Sequence, residues 1–150
     1  MNNRILMVLV LASLFTTAAN AQNYQSAVGL RLSNGAPVLQ TGLSMKHFFS
    51  EKSAVEGLIN LSEPFGFGLL YEIHQQLPVE GLRMFGGGGG QLAFRKNTTY
   101  AGFSGIAGLD YCFKEVPINI SLDWKPELNI NPKTRFEAAA FGFTLRYAFR

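Results

Sequence analysis

Phe141-Gly142-Phe143-Thr144-Leu145-Arg146-Tyr147-Ala148-Phe149 is the stretch that decides how the chain is read. Phe141, Phe143, Leu145, Tyr147 and Phe149 fall on one parity. Gly142, Thr144, Arg146 and Ala148 fall on the other. A period of two is that of a β-strand with one oily face and one small or polar face. Working outward, the same alternation recurs over 24–32, 38–49, 54–61, 65–75, 82–95, 101–114 and 118–126. Turn chemistry separates the runs: Ser33-Asn34-Gly35, Ser50-Glu51-Lys52-Ser53, Pro78-Val79-Glu80-Gly81, a loop over 96–100, and Glu115-Val116-Pro117. The segment 129–135 is expected to connect the seventh run to the eighth. In the second run Leu39, Leu43 and Met45 share the oily parity.

The first residues read as a secretory signal. Met1 to Arg4 form a short basic region, an apolar run follows from Ile5 to Phe15, and small residues lead to Ala19-Asn20-Ala21. The apolar run is shorter than the roughly 20 residues that a membrane-spanning helix needs. Cleavage is therefore expected after Ala21, giving a signal peptide over 1–21 and one mature domain over 22–150. No Cys stands at the cleavage point, which argues against a lipoprotein. Charged residues make up only 15% of the chain, against about 25% in typical soluble domains. Gly and Phe are abundant instead. The net charge of +3 is too mild to argue for nucleic acid. The single Cys112 excludes an internal disulfide framework. Two His and one Cys without ligand spacing give no metal site, and no cofactor motif is present.

Alternation alone does not say which face is inside, since a soluble lipocalin-like barrel also alternates. Two features favour oily-out. The polar parity mixes Gly, Ala and Ser with charges of both signs, as side chains converging in a narrow barrel must be small or mutually paired. On the oily parity, aromatics gather near strand ends. Tyr71, Tyr111, Phe113, Tyr147 and Phe149 fall towards one rim, and Phe65, Phe94, Phe103 and Trp124 towards the other. Two aromatic girdles around an apolar band suit a membrane barrel. The expected fold is all-β, an eight-stranded antiparallel up-and-down transmembrane barrel with both termini on the periplasmic side.

The signal peptide, the eight alternating runs and the Phe143-x-Leu145-x-Tyr147-x-Phe149 terminus resemble the small OmpA/OmpX-like bacterial outer-membrane barrels. The resemblance covers 22–150 and rests on pattern. It implies an integral outer-membrane location, outer-membrane lipid around the barrel, and insertion by the barrel-assembly machinery, which reads the terminal aromatic. Arg150 after Phe149 departs from that pattern. The protein is expected to be a monomer.

With the polar parity inside, Arg31, Lys46, Arg83, Arg95, Lys114, Lys125 and Arg146 share one lumen with Glu56, Glu72, Asp110 and Asp123. An eight-stranded lumen is just wide enough for side chains to fill, so these charges read as a structural plug rather than a catalytic site. The alternatives are a narrow, mildly anion-favouring channel, an enzyme acting on lipid A through Glu72, His74 and Ser104, and a soluble periplasmic lipocalin-like binder. Gly86 to Gly90 lacks the Lys-Ser/Thr and the helix of a phosphate loop. It reads as a mid-strand device for curvature, covered from outside by Phe103 or Tyr111.

Overall fold

The computed structural model describes residues 24–36 and 39–149. The segment expected as a signal peptide, its expected cleavage after Ala21, and Arg150 lie outside the described residues. The described chain forms ten strands: β1 (Ser26–Asn34), β2 (Gly42–Phe48), β3 (Ser53–Asn60), β4 (Phe65–Gln76), β5 (Leu82–Arg95), β6 (Thr98–Cys112), β7 (Ile118–Trp124), β8 (Glu127–Asn131), β9 (Arg135–Glu137) and β10 (Phe141–Phe149). Every pairing is antiparallel, and β1 pairs with β10 from Ser26 opposite Phe149 to Asn34 opposite Phe141. That seam closes the sheet. Strands β7 and β8 both pair with β6 and are the two halves of one stave, interrupted at Lys125-Pro126. Strand β9 pairs with β8 and leads into β10 to make the last stave. The result is a closed eight-stranded antiparallel barrel without helices among the described residues.

The alternation dictates the barrel's faces. Along β4, Gly66, Gly68, Leu70, Glu72 and His74 are buried, while Phe65, Phe67, Leu69, Tyr71 and Ile73 are exposed. Strand β10 repeats this, with Gly142, Thr144, Arg146 and Ala148 inside. Two apolar clusters bracket the polar interior. Tyr24, Ala27, Phe48, Ala54 and Ala148 pack at the end that holds Tyr24 and Phe149. Leu39, Leu58, Leu70, Phe85, Ala93 and Ile106 pack along the wall made by β3 to β6.

Along the chain trace, three departures from the sequence reading stand out. Leu39 is 2% exposed inside the barrel. It precedes β2, so the strand's alternation does not govern its direction. The segment expected as a connection over 129–135 is instead part of the β8–β9 hairpin. The predicted loop over 96–100 tightens to two residues, Lys96 and Asn97, with Lys96 at φ 47°. A positive φ there matches the turn to the right-handed twist of its strands.

Candidate functional site

The barrel interior carries the charges. Among the described residues, Arg31, Lys46, Arg83, Lys125 and Arg146 are buried together with Glu56, Glu72, Asp110, Asp123 and Glu127. Charged side chains are almost never fully buried unless paired, and most of these are. Arg31 donates from both terminal nitrogens to the two oxygens of Asp123, each at 2.6 Å, a bidentate fork. Lys46 Nζ lies 2.8 Å from Glu72 Oε2 and 3.5 Å from Glu56 Oε2. Arg146 pairs with Glu56 and also donates to Ser44 Oγ at 2.7 Å, Ser121 Oγ at 2.8 Å and Asn119 Oδ1 at 3.0 Å. Ser44 in turn donates to Glu56 Oε1 at 2.5 Å. Asp110 accepts from Tyr24 at 2.8 Å and from Asn119. Lys125 pairs with Glu127.

Arg95 and Lys114 do not join this lumen. Arg95 points outward, with Nε 3.8 Å from Glu63, and half-exposed Lys114 pairs with Glu80. Arg95 is the last residue of β5, and Lys114 lies beyond the end of β6. Past the rim there is no closed wall to assign a side chain to a face. In their place stands Glu127, which the sequence reading missed. It shares parity with Lys125 across Pro126, so carrying the alternation through that proline would have found it. The corrected interior holds five cations and five carboxylates among the described residues. That balance removes the charge excess on which an anion-favouring lumen was expected.

The triad alternative does not assemble. His74 Nε2 lies 2.9 Å from Glu72 Oε2, and its Nδ1 is 3.8 Å from Asp110. Ser104 instead donates to Gln91 Oε1 at 2.5 Å, and Gln91 donates to Asn129 at 2.9 Å. An acyl-transfer nucleophile needs its base within hydrogen-bond reach, and among the described residues Ser104 bonds to Gln91 and not to His74. No group of three or more His, Cys, Asp or Glu among the described residues is placed to hold a metal ion.

The outer face is oily and aromatic. Phe103, Phe65, Tyr147 and Trp124 are exposed, as are Tyr71 and Phe94. Tyr111, Phe113 and Phe149 are half-buried, and each has an aromatic neighbour. Tyr111 meets Phe113 edge-on at 4.8 Å, and Tyr147 meets Phe149 at 5.0 Å. Trp124 satisfies its indole N–H on the Ala138 carbonyl at 2.5 Å. The glycine run is only flanked, not covered. Phe103 stands opposite Gly90, Tyr111 stands opposite Leu82 at the far end of β5, and an open groove of about 330 Å³ remains between Phe67, Leu69, Leu92, Phe103 and Ile130.

At the end of the barrel that holds Tyr24 and Phe149, a second cavity of about 450 Å³ opens between the turns. His74 and Arg83 line its inner part, and Glu51, Lys52, Glu80 and Lys114 belong to the turns around it. Comparison of the chain with protein-family models, with curated proteins and with solved structures finds no match.

Proposed function

We propose that this chain is a small, monomeric outer-membrane barrel whose lumen is plugged by paired charges and whose role is structural within the envelope, without catalysis. The observation that carries the reading is the inverted surface. Arg146, Lys46, Glu56 and Glu72 are at most 2% exposed, while Leu30, Leu69, Phe103 and Phe141 are about 60% exposed. Water favours the opposite arrangement, since contiguous apolar patches beyond a few hundred Å² are rare on soluble monomers. Lipid favours this one, and a closed barrel leaves no strand edge unpaired inside it. Aromatics near the strand ends, with Phe65 opposite Phe94, Phe141 opposite Trp124, and Tyr147 beside Phe149, support the reading, since a bilayer selects interfacial belts. On this reading the segment 1–21 is the export signal, both ends of the barrel are periplasmic, and the aromatic end of β10 at Tyr147 and Phe149 is what the barrel-assembly machinery engages. The pairing of Arg31 with Asp123 and of Arg146 with Glu56 favours a plug over a channel, because a conducting path must displace side chains held by several charge-assisted hydrogen bonds.

Two measurements test this. After expression in a Gram-negative host, the protein is expected in the membrane fraction, released only by detergent, and migrating faster on a gel before boiling than after. Recovery from the soluble periplasm without detergent would overturn the membrane assignment. In planar bilayers the purified protein is expected to give no steady conductance. Reproducible conductance steps would replace the plug with a channel.

A further inference from the structure

We infer that the mouth of the barrel beside Tyr24 and Phe149 is a binding site for the carboxylate of a small monoanionic solute, with Arg83 as its anchor. Arg83 differs from the other buried cations. Arg31, Lys46, Lys125 and Arg146 each reach a carboxylate. Arg83 is 7% exposed, yet no carboxylate oxygen among the described residues comes within ion-pair distance of it. Its register partner on β6 is Asp110, but that carboxylate is turned to Tyr24 and Asn119. Its partner on β4 is Gln76, whose side-chain oxygen accepts from Arg83 Nε at 3.4 Å. The guanidinium lies over the Phe48 ring at 5.0 Å. Stacked on one side and tethered at Nε, the fork keeps its two terminal nitrogens for the cavity that it lines.

A nearly desolvated guanidinium with free terminal nitrogens is the geometry that takes a carboxylate in bidentate fashion. A volume of about 450 Å³ is within the range of small-molecule sites. The lining selects the charge of the ligand. Lys52, Arg83 and Lys114 stand against Glu51 and Glu80, and Lys114 and Glu80 pair with each other. The excess is a single positive charge, centred on Arg83. A monoanion matches it, whereas a dianion meets the two glutamates. Leu77 and Pro78 offer apolar wall for a short hydrocarbon chain. The site does not rest on the membrane assignment, since the cavity opens at the barrel's end and not on its wall.

The test uses the folded protein in detergent micelles, with butyrate and inorganic phosphate as probes at matched ionic strength. The Arg83 Nε–H cross-peak, identified by its absence in Arg83→Lys, is expected to move saturably with butyrate and less with phosphate. Calorimetry is expected to show butyrate affinity falling about tenfold in Arg83→Gln, and also falling in Arg83→Lys, which keeps the charge but loses the fork. Lys52→Gln is expected to change affinity by less than about twofold, as befits an exposed rim charge. An unshifted Arg31 cross-peak and unchanged heat-modifiable migration certify that each variant is folded. A cross-peak that does not saturate, tighter phosphate than butyrate, or full butyrate affinity in Arg83→Gln would each overturn the proposal.

Discussion

At the scale of single residues, Glu56 is the hinge of the interior. It lies beside Lys46 and Arg146 at once and accepts from Ser44, with none of its side chain exposed. Removing one partner of a buried charge cluster leaves the others desolvated and uncompensated, which costs about 3–5 kcal/mol. Glu56→Ala is therefore expected to lower the urea midpoint strongly in folded, lipid-reconstituted protein, read from the fluorescence of Trp124, the only Trp in the chain. An unchanged midpoint would mean that water already compensates the cluster. That Glu56 faces inward was legible from its parity with Asn60. That it bridges β2 and β10 was not, because the register between strands distant in sequence is set only when the sheet closes. The same limit explains Arg95 and Lys114, whose parity is right but whose strands end at them or before them.

At the scale of elements, the glycine run shapes the wall between β4 and β6. Gly87 and Gly89 share the interior parity, standing opposite Glu72 and Leu70. A Cβ on Gly87 would sit 1.9 Å from the Tyr71 carbonyl oxygen, and one on Gly89 1.8 Å from that of Leu69. Gly90, on the outer parity, leaves its nearest such contact at 3.9 Å. Strand β4 thus approaches β5 so closely on the concave side that only glycine fits. Gly87→Ala is expected to destabilise the barrel by about 1–3 kcal/mol, as overpacking does, and Gly90→Ala to be near neutral. Equal effects of the two in the same unfolding assay would contradict this account. A structural role for the run was readable from its mid-strand position. Which of its glycines are indispensable was not, because that depends on local curvature. Pro126 shows the converse limit. It marks the end of an alternating run in sequence, yet the stave resumes as β8 once β6 supplies a partner on the far side of the break.

At the scale of the whole molecule, the outer band makes the environment testable by one substitution. Leu30 lies mid-strand, 60% exposed, between Leu43 and Leu145. In a bilayer, Leu30→Lys is expected to cost about 2–4 kcal/mol if this position sits near the midplane. In water the same change on an exposed site costs within about 0.5 kcal/mol. Refolding into vesicles at a series of urea concentrations distinguishes the two, and a neutral effect in vesicles would argue against lipid contact at Leu30. By itself the sequence determined the eight staves, most of the turns between them and the side of the wall that residues well inside a strand face. These follow from a period of two, which is a local property of the chain. Only the tertiary structure decided that Lys125 and Glu127 share a stave across Pro126 and that, among the described residues, the interior charges balance and Arg83 has no carboxylate at the mouth. Those depend on which strands meet across the lumen and where the rim ends, and closure of the barrel fixes both.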